Sequence, residues 1–316
     1  MVSGRGSGPA GGATSDGRQP NFLIVGAPRC GTTALYNALK QHPSVYLAVL
    51  KEPHFFGSDL SEQPHTIRDP DIYRSLFRGG EERPRRGEAS VWYLRSRLAA
   101  REIYAMNPAM KIVILLREPV AMISSLHALY LRTENEDIED LSEALSAESS
   151  RARGERLPPR HYFPEGLQYR GNVAYDVQVG RYLDVFPRDQ VHIILSEELR
   201  SHPHQTLDAV AEFLEIERPF RPESDPVRVQ ALIRDIVLPQ LRRAHPQVRA
   251  KLQAWYRHHD GPRRTPDPAL ERALRKEFRP GIERLERLIG RDLSHWYGEA
   301  SADPGRTLER RRPRGE

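Results

Sequence analysis

The sequence is poor in cysteine, since Cys30 is the only one among 316 residues. A single thiol cannot form an intramolecular disulfide, and a cysteine-rich metal site is excluded, which fits a reducing compartment. Long hydrophobic runs are also absent, because no stretch of about eighteen consecutive apolar residues occurs. The first twenty residues lack the apolar centre of a secretory signal. From these absences we expect a cytoplasmic protein without a membrane span.

Lysine is scarce as well, and nearly all of the 48 basic residues are arginine. The net charge is +5, and much of the excess lies in the tail that carries Arg310, Arg311, Arg312 and Arg314. A short basic tail is ordinarily solvated, and aromatic residues do not interleave with basic ones as they do in nucleic-acid binders. We therefore expect no nucleic-acid partner.

The ends of the chain differ in composition from its middle. Residues 1–20 are rich in glycine, serine and other small or polar residues, and residues 300–316 are similarly polar and basic. Segments so poor in apolar groups do not order themselves, which predicts a disordered N-terminal tail and a flexible C-terminal tail. The remaining residues, 21–299, are predicted to form one domain, and no internal repeat is visible.

Short apolar runs alternate with helical patterns along this domain. The runs at 21–27, 44–49, 111–116 and 190–195 are continuous, which is typical of strands buried on both faces of a parallel sheet. Helices are predicted at 32–41, 95–106, 120–132, 175–185, 204–214 and 269–289. The acidic run ENEDIEDLSE at 134–143 is predicted to begin a solvated helix. The fold class is therefore α/β, with a central, mainly parallel sheet flanked by helices and a mostly helical C-terminal third.

A glycine-bounded loop, GAPRCGTT at 26–33, joins the first strand to the first helix. This arrangement directs backbone N–H groups and the positive end of a helix dipole at an anion. The spacing is that of the nucleotide-triphosphate loop, but Thr32 stands where that loop needs lysine. Arg117 and Glu118 follow the strand KIVILL in place of a magnesium-binding aspartate. A kinase is thereby disfavoured, although a kinase and a non-catalytic binder of phosphorylated ligands both remain alternatives.

Five segments in order resemble the sulfotransferases. GAPRCGTT is similar to their 5′-phosphosulfate loop, and LREPVAMISSLHALY at 116–130 is similar to their 3′-phosphate segment. KEPHFFG at 51–57 and GEASVWYL at 87–94 resemble the heparan-sulfate and related bacterial branch, and LIGRDLSHW at 288–296 resembles the ending of many bacterial members. The resemblance implies a three-layer, P-loop-like fold, 3′-phosphoadenosine-5′-phosphosulfate as donor, no metal requirement, and sulfuryl transfer to a hydroxyl or amine.

The resemblance also implies catalytic residues. Glu52 is expected to be the general base that takes the acceptor's proton, with Lys51 and His54 organising charge around it. A structural salt bridge is the alternative role for Glu52. Arg29 stands where the family usually has lysine. Arginine keeps a positive charge but cannot donate a proton near neutral pH. Arg29 is therefore expected to be an electrostatic clamp on the departing phosphate oxygen, or simply a phosphate ligand.

Donor-binding residues are expected in three places. In the first loop the 5′-phosphate is assigned to Cys30, Gly31, Thr32 and Thr33, of which the threonines could instead cap the helix and the cysteine could be only a small loop residue. Arg117 and Ser125 are expected to bind the 3′-phosphate, because a guanidinium fork suits a dianion. Arg263 and Arg264, in the basic loop HHDGPRR, are predicted either to close over the nucleotide or to lie in an exposed turn.

The acceptor side is less clearly defined by the sequence. Glu88, Ser90 and Trp92 are assigned to the acceptor pocket, with Trp92 as a wall and with contact to the donor as the alternative role for Ser90. Ala89 stands near the place where some eukaryotic relatives use a catalytic lysine. His161, Tyr162 and Tyr169 are further pocket candidates, with surface packing as their alternative role. We expect the acceptor to be a saccharide or a hydroxylated natural product. The oligomeric state is unknown.

Overall fold

A computed structural model describes residues 19–63, 66–222 and 266–298. Five strands form one sheet: β1 (Phe22–Gly26), β2 (Val45–Leu47), β3 (Arg85–Ala89), β4 (Lys111–Leu116) and β5 (Val191–Leu195). Every neighbouring pair is parallel, and the strand order is β2-β3-β1-β4-β5. All five carboxyl ends therefore meet at one edge of the sheet, where ligands bind in open α/β folds.

Helices cover the sheet and extend beyond it. In the described residues they are α1 (Thr32–Leu39), α2 (Pro70–Ser75), α3 (Ala99–Met106), α4 (Pro119–Arg132), α5 (Leu141–Ser146), α6 (Glu148–Arg151), α7 (Tyr169–Asn172), α8 (Tyr175–Leu183), α9 (Ser196–Ser201), α10 (Pro203–Phe213) and α11 (Pro268–Ile289). Every residue of β1, and all but the first of β4, is buried. The predicted α/β class, with its parallel sheet and helical C-terminal region, is confirmed.

The sequence did not predict β3, whose sequence RRGEA contains no apolar run. This strand lies between β2 and β1, and Gly87 pairs in register with Phe22. A Cβ at position 87 would lie 2.5 Å from Cζ of Phe22, so only glycine lets the aromatic ring lie against the strand. The next residue, Glu88, is fully buried. An internal strand with a buried carboxylate and a glycine has no hydrophobic pattern to detect.

One predicted helix boundary is wrong for a local reason. Helix α3 begins at Ala99 and not at 95, because the Ser96 hydroxyl accepts hydrogen bonds from the N–H groups of Leu98 and Ala99 at 3.0 and 2.9 Å and so ends the preceding turn. The ordered fold also begins no later than Gln19, whose carbonyl accepts a 3.1 Å hydrogen bond from Arg86. The rest of the predicted N-terminal tail, apart from Pro20, and the whole of the predicted C-terminal tail lie outside the described residues.

The acidic run at 134–143 is not the solvated helix that its composition predicts. Helix α5 begins only at Leu141, where the Asp140 side chain accepts from the N–H of Glu143 at 2.8 Å. Glu136 is buried and accepts two hydrogen bonds from Arg151, at 2.6 and 2.7 Å. Within this run, one carboxylate therefore belongs to the core as half of an ion pair.

The long helix α11 packs against α8 and α4. Its buried residues Leu274, Ile282, Leu285 and Ile289 form one apolar stripe, and Gly290 ends the helix with a φ of 67°. Arg275 of this helix donates to the carbonyl of Trp296 at 2.8 Å, which joins α11 to the segment LSHW. Of the helices in the described part of the chain, none combines the length and the apolar character needed to cross a bilayer.

Candidate functional site

The loop between β1 and α1 is shaped to receive an anion. Gly31 is the N-cap of α1 and has a φ of 97°, a left-handed conformation that favours glycine. Because Gly31 has no side chain to accept from the first-turn N–H groups, these donors remain available to an external anion. Thr32 is buried and Thr33 is exposed, so the two threonines contribute to the first turn in different ways.

The loop is in contact with the segment that follows β4. Arg29 donates from Nε to the hydroxyl of Ser125 on α4 at 2.9 Å, and Arg117 donates from Nη1 to the carbonyl of Arg29 at 3.2 Å. Arg29 is separated in sequence from Arg117 by 88 positions and from Ser125 by 96 positions, and the three residues meet at the carboxyl edge of β1 and β4. The two segments expected to hold opposite ends of one nucleotide lie side by side.

Positive charge is concentrated at this edge. Burial lowers the pKa of Arg29, and the nearby guanidinium groups of Arg132 and Arg117 lower it further. Arg132 is a site residue that the sequence analysis missed, and its Nε is buried without a hydrogen-bond partner among the described residues. Ser125 and Arg132 are seven residues apart, two turns of one helix, and that spacing was the available signal. Clustered guanidinium groups of this kind favour an anionic ligand.

Glu118 is committed to a structural role at the same edge. Its carboxylate caps α4 by accepting from the N–H groups of Val120 at 3.2 Å and Ala121 at 2.6 Å. Pro119 occupies the first helical position, where a missing N–H costs nothing. Glu118, which stands in place of a magnesium-binding aspartate, therefore uses its carboxylate to cap the helix.

Glu52 lies in the loop that follows β2, next to its two predicted partners. Lys51 forms a hydrogen-bonded ion pair with one carboxylate oxygen, and Nε2 of His54 lies 3.6 Å from the other. Burial by itself would raise the pKa of Glu52, but the neighbouring imidazole of His54 and the charge of Lys51 lower it to about 2. About a third of the side chain, 34%, is exposed. Glu52 is thus an accessible carboxylate that is ionised at neutral pH.

The residues assigned to the acceptor from GEASVWYL lie beneath the site. Glu88 and Ser90 have no exposed surface, and Trp92 packs against Phe163 with ring centroids 4.7 Å apart. Ser90 donates to Glu88 at 2.9 Å and accepts from the N–H of His54 at 3.1 Å. In place of the predicted acceptor contacts, the structure shows Glu88 and Ser90 bonded to each other and to the loop of Glu52.

The other predicted residues have mixed outcomes. Cys30 is fully buried and donates from Sγ to the carbonyl of Pro28 at 3.3 Å, and burial raises its pKa to about 12. The thiol is therefore packed inside the protein and is not exposed to solvent. Arg263 and Arg264 lie outside the described residues.

The three further candidates for the acceptor pocket, Tyr169, Tyr162 and His161, have different surroundings. Tyr169 is fully buried and donates to Glu136 at 2.9 Å, so it belongs to the core. Tyr162 is partly buried, and its hydroxyl lies 3.3 Å from that of Thr133 at the end of α4. Burial raises the pKa of Tyr162, and the charge of Glu52 raises it further, which puts this ring on the Glu52 side of the site. His161 bonds to the carbonyl of Pro158 at 2.7 Å.

A parallel sheet with a glycine loop, an arginine cluster and an adjacent carboxylate at its carboxyl edge defines the class of proteins that bind a phosphorylated nucleotide there. The sulfotransferase domain family matches residues 19–264. The chain therefore belongs to the sulfotransferase domain family.

Individual relatives agree with this assignment. Carbohydrate sulfotransferase 15 of Mus musculus is 26% identical over 329 aligned positions, covering 88% of this chain and 54% of that protein. Heparan sulfate glucosamine 3-O-sulfotransferase 6 of Homo sapiens is 31% identical, covering 65% of this chain and 56% of that protein. The chain thus spans about half the length of these curated relatives. The crystal structure of a sulfotransferase from Alicyclobacillus acidocaldarius superposes with a TM-score of 0.69 at 34% identity, covering 88% of this chain and 98% of that one.

Proposed function

We propose that this protein transfers the sulfuryl group of 3′-phosphoadenosine-5′-phosphosulfate to a hydroxyl or amine of a saccharide or a hydroxylated natural product. The observation that carries the proposal is the contact of Arg29 with both Ser125 and Arg117, next to the ionised Glu52. Cations that bind the donor and a carboxylate that can accept a proton are both needed for this transfer, and here they share one edge of the sheet. The carbohydrate sulfotransferases among the relatives support a saccharide as the first acceptor class to test.

In the proposed reaction the acceptor oxygen attacks sulfur from the side of Glu52. The new O–S bond forms as the bond between sulfur and the 5′-phosphate oxygen breaks, and that oxygen keeps the electron pair. Arg29 stabilises the negative charge that develops on the phosphate, since a guanidinium remains charged throughout. The acceptor proton passes to the Glu52 carboxylate and from there to solvent.

The low pKa of Glu52 limits how this base works. A carboxylate with a pKa of about 2 cannot remove a proton from a free alcohol to any useful extent. The acceptor hydroxyl becomes acidic only as its bond to sulfur forms, so the proton moves late in the step. Positioning and electrostatic stabilisation then supply most of the rate.

Donor binding is assigned to two sets of groups. The first-turn N–H groups after Gly31 and the hydroxyl of Thr33 suit the 5′-phosphate, and Arg117 with Ser125 suits the 3′-phosphate. The kinase alternative gains no support, because Glu118 caps α4 and Thr32 replaces the phosphate-binding lysine. A metal-free reaction stays a prediction, as does the cytoplasmic location, which fractionation of the source cells tests.

The deciding experiment has two arms. Calorimetric titration with 3′-phosphoadenosine-5′-phosphate should show binding at a single site, and magnesium-ATP should bind more weakly. Incubation with donor carrying radiolabelled sulfate should then label a saccharide or natural-product fraction from cells of the source. Tight binding of magnesium-ATP without binding of the bisphosphate would reject the proposal.

A further inference from the structure

The loop that carries Glu52 is held by the segment that follows β3. Three of its backbone N–H groups donate to that segment: Glu52 to the carbonyl of Ala89 at 2.9 Å, His54 to the hydroxyl of Ser90 at 3.1 Å, and Phe55 to the hydroxyl of Tyr93 at 2.8 Å. Segment 88–93 therefore serves as the support on which the loop takes its shape.

The loop needs this support because its backbone is strained. Glu52 and His54 have φ values of 63° and 50°, in the left-handed region that non-glycine residues avoid. A non-glycine residue in this conformation is strained, and it persists only where surrounding contacts determine it. The position of the Glu52 carboxylate thus depends on bonds made by other residues.

Glu88 is connected to the loop through one intermediate residue, Ser90. Its carboxylate accepts from the Ser90 hydroxyl at 2.9 Å on one oxygen and from Tyr73 at 3.4 Å on the other. A serine hydroxyl has one hydrogen, and donating it to Glu88 turns its lone pairs toward other donors. One lone pair of the Ser90 hydroxyl accepts from the backbone N–H of His54. Glu88 thereby fixes the direction in which Ser90 can hold the loop.

We propose that Glu88 is a positioning residue for Glu52, acting through the Ser90 hydroxyl and the backbone of His54. The proposal rests on the proposed function only in that Glu52 must matter for turnover. Glu88 itself is fully buried, with no surface exposed to solvent. Losing the bond from Ser90 would let the strained loop relax and displace the Glu52 carboxylate, while the donor-binding loop would keep its shape.

The surroundings of Glu88 also make this link sensitive to pH. Burial raises the pKa of Glu88 to about 7, although the nearby hydroxyls of Tyr93, Ser90 and Tyr73 act in the opposite direction. The other titratable groups that act on it electrostatically are Lys51 from the loop, Tyr36 from α1 and Tyr182 from α8. Lys51 is the one cation in this set. Because a hydrogen bond to an ionised carboxylate is stronger than one to its neutral form, ionisation of Glu88 tightens the hold on Ser90.

The test compares Glu88→Gln and Ser90→Ala with the wild-type chain in the sulfate-transfer assay. Each variant should lower kcat about 10- to 100-fold with little change in the affinity for 3′-phosphoadenosine-5′-phosphate, because only the carboxylate of Glu52 moves. The wild type should gain kcat as pH rises through about 7, and Glu88→Gln should lose this limb of the profile. Glu148→Gln, a buried carboxylate of α6 that bonds to Arg170, is the matched control and should keep the wild-type kcat.

The double variant Glu88→Gln, Ser90→Ala separates a shared route from two independent defects. If both residues act through one route, the double variant should be no slower than the slower single variant. Additive losses, or a wild-type kcat and pH profile in either single variant, would overturn the positioning role while leaving sulfuryl transfer intact. Absence of turnover and of bisphosphate binding in the wild type would instead reject the proposed function. If Glu88→Gln does not fold, Ser90→Ala decides the question by its kcat.

Discussion

The guanidinium of Arg29 donates from Nε to the hydroxyl of Ser125 at 2.9 Å, and this bond joins the first loop to helix α4. Arg117, at the start of the same segment, donates to the carbonyl of Arg29 at 3.2 Å. Two stretches that are each suited to a phosphate are therefore held next to each other by protein–protein hydrogen bonds. Such preorganisation lowers the cost of binding one molecule with two phosphate ends.

Replacing Arg117 by alanine should weaken binding of 3′-phosphoadenosine-5′-phosphate. Hydrogen bonds to charged groups contribute about 1.5–3 kcal/mol, so the Kd should rise roughly 10- to 150-fold. Calorimetric titration measures this change. Arg153→Ala is the matched control, since Arg153 is exposed and pairs only locally with Glu155; its Kd should equal that of the wild type. An unchanged Kd for Arg117→Ala would remove this residue from the donor site.

Replacing Glu52 by glutamine should stop turnover without harming donor binding. Glutamine keeps the shape of the side chain but cannot take a proton, and loss of a general base typically costs about 10²- to 10⁴-fold in rate. Single-turnover kinetics with radiolabelled donor measures the rate, and calorimetry checks the affinity. Glu155→Gln, an exposed carboxylate, should behave as the wild type. A glutamine variant with normal turnover would show that Glu52 is structural.

Arg29 can be tested with one conservative and one neutral substitution. Arg29→Lys should retain turnover, because the positive charge remains next to the departing oxygen. Arg29→Met removes that charge and should lower kcat about 10²- to 10³-fold. The ratio of the two kcat values is the measurement. Equal activity of the two variants would argue against an electrostatic role.

The ionisation of Glu88 should be visible in the stability of the protein. The unfolded chain releases this proton near the ordinary value of 4.5, whereas the folded chain keeps it until about 7. Between these values the unfolded state binds fewer protons, so stability falls as pH rises, at a cost on the order of 3 kcal/mol above pH 7. Glu88→Gln removes this cost. Urea denaturation at pH 5 and pH 8 should therefore show the variant gaining stability relative to the wild type at the higher pH, and a difference independent of pH would contradict the assignment.

The buried pair of Glu136 and Arg151 should be far more important for stability than an exposed pair. Both side chains are fully buried, and Glu136 also accepts from Tyr169 at 2.9 Å. Arg151→Ala leaves a buried carboxylate without its cation and should cost about 3–5 kcal/mol in the free energy of unfolding. Arg153→Ala, two residues away and exposed, should cost less than about 1 kcal/mol. Equal losses for the two variants would show that the pair is not buried in solution.

The sequence predicted the parts of the site that depend on neighbours along the chain. GAPRCGTT follows a buried strand and opens a helix, so the anion-binding loop could be recognised from its own residues. Arg117 could be placed at the carboxyl edge because the run KIVILL must end there. Ser125 lies on the helix that starts two residues after Arg117, and its contact with Arg29 was within reach of the same reasoning.

Other features of the structure could not be predicted in this way. Strand β3 has no apolar pattern, because Phe22 supplies the packing that its own side chains lack. In the sequence, Glu136 is one of several acidic residues that predict a solvated segment. In the structure it is buried and paired with Arg151, fifteen positions later. The sequence assigns Glu88 to the acceptor pocket, whereas in the structure it is buried and accepts a hydrogen bond from Ser90. The first two features depend on a partner that is distant in sequence, and the third depends on the burial of β3 inside the sheet.

By itself the sequence determined the α/β architecture, the phosphate loop and the positions of Arg29, Glu52 and Arg117 along the chain, because strand burial and helix starts depend on local patterns. Only the tertiary structure decided that Arg132 joins the arginine cluster, that Glu118 caps a helix, and that Glu88 lies beneath the loop of Glu52. The physical reason is that charge and hydrogen bonding act over a few ångströms in space. Which groups fall within that distance is set by how the strands and helices pack, and not by their order in the chain.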